Sequence, residues 1–64
     1  MEFTFERILG ESEEDRIKGV IVSQVEALKS VSAGEEATLV NGDEAITILR
    51  TEVGIHIIHV GRVL

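Results

Sequence analysis

The chain contains no cysteine, no proline, no tryptophan and no tyrosine, and only six basic residues among 64. Without cysteine there is no disulfide staple and no thiolate zinc site. Without Trp or Tyr, and with Phe3 and Phe5 as the only aromatics, there is no platform on which bases or a flavin would stack. The six bases (Arg7, Arg16, Lys18, Lys29, Arg50, Arg62) are scattered and are outnumbered by 12 acids, which leaves a formal charge of −6. Phosphate backbones demand clustered cations, so nucleic-acid binding is not expected. No apolar run approaches the ~20 residues that cross a bilayer. Met1–Leu9 carries Glu2 and Glu6 where a secretory leader has a basic start. The expectation is a cytoplasmic protein with no membrane association.

A chain of 64 residues is expected to be a single domain with a marginal core. Such a chain buries only about 60% of the surface that its unfolded form exposes. With disulfides and cysteine-bound zinc ruled out, oligomerisation is the stabilising device that remains.

Hydrophobic periodicity supplies the elements. Glu2-Phe3-Thr4-Phe5-Glu6 alternates with period two and predicts a strand with both Phe rings inward, ended by Gly10. Over residues 12–32, Ile17, Val20, Ile21, Val25, Leu28 and Val31 recur at three- and four-residue spacing. They predict one long helix with Ser12 as N-cap, a Glu14–Lys18 pair and Gly34 as the stop. Gln24 falls inside the apolar stripe and needs a partner: a backbone group, a symmetry mate or, alternatively, a ligand. Residues 36–64 predict a three-stranded meander turning at Asn41-Gly42 and at Glu52-Val53-Gly54. The predicted fold class is α+β, in the order β-α-β-β-β, with the helix packed on an antiparallel sheet.

Chemistry-bearing patterns are sparse. His56 and His59 stand three apart on a predicted strand, which would place them on opposite faces and prevent joint chelation. A metal site would need other residues or a second chain. Ser12, Ser23, Ser30 and Ser32 lie on or beside the helix with no nucleophile-elbow context. Asn41-Gly42-Asp43-Glu44 lacks the spacing of a calcium loop and reads as a hairpin turn. No glycine-rich phosphate loop is present. The expectation is no catalysis, no cofactor and no metal.

Two outlines of known families are similar to parts of the chain. The segment from Val31 to Leu49, with its Asn41-Gly42 turn, resembles the helix-to-hairpin segment of Phd/YefM-type antitoxins, and implies a transcriptional regulator. The β-α-β-β outline is similar to that of dodecins, and implies a small-ligand-binding oligomer, with a pocket expected at the subunit interface near Gln24 and His56. Neither is the preferred reading.

That reading starts from the surface left over. In the last strand Ile55 and Ile57 alternate with Ile58 and Val60, which implies a bulge or two buried faces. One helix covers one sheet face, so Val40, Leu49, Ile58 and Val60, with His56 beside them and Ile8 joining them, are expected to form an uncovered apolar patch. The sequence ends on Val63-Leu64 without a polar tail. Such a patch marks an interaction site. The expected function is a non-enzymatic, self-associating regulator or inhibitor, a homodimer or larger. The sheet face or last strand would carry the contact, and the acidic helix surface would suit a basic protein partner.

Overall fold

The computed structural model describes residues 1–63, and Leu64 lies outside them. The elements are β1 (Glu2–Phe5), α1 (Glu11–Ser23), α2 (Val25–Leu28), β2 (Glu36–Asn41), β3 (Glu44–Arg50) and β4 (Gly54–Arg62). The sheet order is β1-β4-β3-β2. The result is an α+β fold with helices on one side of a four-stranded sheet.

The sheet is mixed, where the sequence had predicted an antiparallel one. β2–β3 and β3–β4 pair antiparallel, but β1 pairs parallel to β4. Chain direction explains why. The helical segment returns the chain, so β2 runs the same way as β1. The meander then reverses twice, so β4 does too. β1 joins the free edge of β4 and is therefore parallel to it. Gly54 permits the approach, since a Cβ there would collide with the Glu2 backbone.

The predicted long helix is broken in two at Gln24, whose backbone (φ −114°, ψ 25°) leaves the helical region. The break follows from packing. Ile17, Ile21 and Leu28 are buried against Leu39, Ile46, Ile48, Ile55 and Ile57, whereas Val25 is turned outward. The Gln24 amide nitrogen, 3.0 Å from the Val40 carbonyl, donates to it and ties the break to edge strand β2. The backbone partner expected for this amide is thus found.

The helix start also differs. Gly10, at φ 95°, is the N-cap instead of Ser12, and no side chain caps it. Glu14 accepts from the Leu9 N–H at 3.2 Å and so is not the partner of Lys18, which approaches Asp15 at 4.0 Å. Gly34 lies beyond α2 in the approach to β2, at φ 91°. The β2–β3 hairpin forms where Asn41-Gly42 predicted it, with Asn41 paired to Glu44. Gly42 takes φ 64° and Asp43 does not turn positive, the φ pattern that a type II′ turn requires. β1 stops at Phe5, and Ile8 beyond it is almost fully exposed.

Candidate functional site

Strand register decides which side chains share a face, because directly opposite residues point the same way. The helix-covered face holds Phe3 and Phe5 on β1, Ile55, Ile57 and Val60 on β4, Ile46 and Ile48 on β3, and Ala37 and Leu39 on β2. At its rim Arg16 of α1 meets Glu44 of β3 through two contacts, at 2.8 and 2.9 Å, and Glu13 through two more. Hydrogen bonds from Arg16 hold the Glu13 and Glu44 carboxyls below the usual carboxylate range.

The opposite face has no helix over it. One row crosses all four strands: Thr4 on β1, His56 on β4, Leu49 on β3 and Glu36 on β2. The next row is His59, Thr47 and Thr38, and a third is Gly61, Ala45 and Val40. Thr47, Leu49, Ala45 and His56 are half-buried although no helix covers them.

A register shift between Thr47 and Ile48 leaves Ile58 as the extra residue of a bulge in β4. It reverses two sequence expectations. Beyond the bulge the side chains change sides, so His59 joins His56 on the open face. The prediction that residues three apart must face opposite ways fails there. By the same shift, Val60 lies opposite Ile46 and packs against the covered core, so it is not part of the uncovered patch. Ile58 itself is half-buried at the bulge, beside a small notch of about 50 Å³ shared with Phe5, Arg7 and Leu9. Leu49, His56 and Val40 lie on the open face. The last strand is central, not an edge, along its pairing with β1 at Gly54–Ile57.

A constellation the sequence reading missed sits at the β1–β4 junction. Thr4 Oγ1 is 2.7 Å from His56 Nδ1, and His56 Nε2 is 2.8 Å from Glu6 Oε1. With imidazole neutral, Glu6 accepts from Nε2–H, and Nδ1 accepts from the Thr4 hydroxyl. This order of groups (hydroxyl, imidazole, carboxylate) is one that nucleophilic catalysis uses. Here the surroundings differ: Glu6 is largely exposed, and Thr4 and His56 line neither of the two cavities described. The chain of bonds fixes the His56 ring and fastens β1 to β4. The signal was the parallel pairing, which puts Thr4 beside His56 although they are 52 positions apart. Among the described residues no group of three or more His, Cys, Asp or Glu converges as a metal site, and no helix is long and apolar enough to cross a membrane.

Compared with known proteins, the chain matches no family model, no curated protein and no solved structure.

Proposed function

We propose that the chain is a non-enzymatic interaction module that self-associates as a two-fold dimer through the open face of its sheet. One observation carries this reading: the centre of that face holds no carboxylate, lysine or arginine. An antiparallel sheet left in water normally alternates apolar inward with polar and charged outward. Here the outward rows place Thr38, Thr47, Ala45, Leu49, His56 and His59 at the middle, with Glu2, Glu6 and Glu36 at the margins and neither Lys nor Arg among them. Short side chains such as those of Thr38, Thr47 and Ala45 lose little rotamer freedom when covered, and they make a flat surface suited to packing on its own copy. A two-fold contact is self-complementary, so each residue of the face serves both subunits.

In such a dimer the helices lie outermost. Glu11 and Asp15 at the start of α1 and Glu26 of α2 are exposed there, which supports a basic protein surface as a second partner. Light scattering or sedimentation at ~100 μM tests the proposal. A dimer that Leu49→Glu converts into a folded monomer is the expected result. A wild-type chain that remains a folded monomer at that concentration ends this reading.

A further inference from the structure

We propose that a groove at the Gly54 end of the sheet, away from the centre of the open face, is a binding site for small apolar monocarboxylates, with the alkyl chain in the groove and the carboxylate on Arg50 and Lys29. The groove encloses about 360 Å³ between α2, the start of β1 and the β3–β4 turn, within the usual range for small-ligand sites. Buried Leu28 and Ile55 form its floor. Its walls gather three large apolar side chains that the fold leaves exposed: Met1 (66%), Val25 (41%) and Val53 (64%).

Two local features open it. The break at Gln24 turns Val25 out of the helical stripe. The β3–β4 turn is held by the Thr51 hydroxyl, which accepts from the N–H groups of Val53 at 3.3 Å and Gly54 at 2.9 Å. Val53 is thereby fixed at the groove's edge.

Charge selects the head group. Arg16, Lys18, Lys29 and Arg62 each have an acidic partner. Arg50, half-buried, has none among the described residues. Its Nη1 donates to the carbonyls of Leu28 at 2.7 Å and Val31 at 2.9 Å, and no protein acceptor among the described residues takes its Nη2 or Nε. A guanidinium so placed, in a chain with 12 acids, offers donors to a planar carboxylate. Lys29 adds a cation that it shares with Glu26 at 2.7 Å, and Glu52 adds a negative charge at the rim. Two cations against these acids suit a single negative charge and disfavour a phosphate. At ~30 Å³ per water-sized group, the groove holds roughly a dozen heavy atoms, about the size of octanoate or decanoate.

The test is a titration of the ¹⁵N-labelled chain with sodium octanoate below its micellar concentration, followed by NMR. Saturable shifts confined to residues 25–29 and 50–55 are expected. Affinity should tighten about fourfold per methylene from butyrate to octanoate. Octanol, with the same tail and no charge, should bind at least tenfold more weakly. Val53→Asp, at an exposed turn position, should abolish the shifts while the spectrum stays folded, and Lys29→Gln should weaken them. Non-saturating shifts, shifts centred on Thr47 and Leu49, or octanol binding as well as octanoate would each overturn the proposal. Dimerisation through the open face is read separately by light scattering, so either idea can fail without the other.

Discussion

On β3, Ile48 and Leu49 are neighbours in sequence and meet opposite surroundings. Ile48 is wholly buried under the helices. Leu49 stands in the open row between His56 and Glu36, shielded only by the sheet itself. The buried centre of the covered side is mostly isoleucine, with phenylalanine, leucine, valine and alanine packed around it, and is closed by the Arg16–Glu44 contact. The centre of the open face uses threonine, histidine, alanine, glycine, one leucine and one valine. The first composition resists water, while the second tolerates it and packs well when it is excluded. The covered face therefore accounts for folding, and the open face is the region free to serve association.

Substitutions at this pair should separate the two roles. Ile48→Ala should cost about 2–5 kcal/mol, comparable with the ~3–5 kcal/mol that so small a core supplies. Urea unfolding followed by circular dichroism should find the variant largely unfolded. Leu49→Glu should leave the helices and sheet intact and weaken self-association at least ~30-fold, the scale of about 2 kcal/mol for an interface anchor, as read by sedimentation. If Leu49→Glu unfolds the chain as Ile48→Ala does, the two faces are not separable.

Smaller effects sharpen the contrast. Glu13 and Glu44 have carboxyls lowered by Arg16. A lowered folded pKa favours the charged carboxylate in the native state. That contribution is complete above the ordinary value of 4.5 and is lost as pH falls through the lowered values. Thermal melts between pH 6 and 3 should show the wild type losing its advantage over Arg16→Met as acid is added. A constant gap would mean that the contact acts through packing alone. On the open side, Thr4→Val removes one exposed hydrogen bond and should cost only about 0.5 kcal/mol. Its clearer sign should be a changed His56 ring signal in NMR. An unchanged ring would mean that Glu6 alone positions it.

The helical and hairpin segments were legible because their signals are local: the four- and seven-residue spacing of Ile17, Ile21 and Leu28, and the glycine at the β2–β3 turn. The break at Gln24 was not, because it depends on Val40 of a distant strand accepting the amide. The parallel pairing of β1 could have been deduced. A strand, a helical return and a three-stranded meander leave β1 only an edge beside β2 or β4, and both run its own way. The open face was half legible. The alternation of Ile55 and Ile57 with Ile58 and Val60 implied either a bulge or two buried faces, and the periodicity could not choose between them. The bulge carries Val60 to the core and His59 outward, so the site kept Leu49, His56 and Val40 from the expected patch. Thr4 and Glu6 were invisible as His56 partners until β1 was placed.

The union of β1 with β4 also orders the assembly of the molecule in time. Thr4 must wait for His56, 52 positions later, whereas β2, β3 and β4 can zip together through short turns. Contacts of such separation form late, since the loop they close costs entropy before it gains anything. Phe3 and Phe5 should therefore contribute little to the folding transition state and much to the rate of unfolding. Until β1 docks, the Gly54–Ile57 edge of β4 is bare, and a nascent chain spends that interval offering a strand of glycine, isoleucine and histidine to any extended segment nearby.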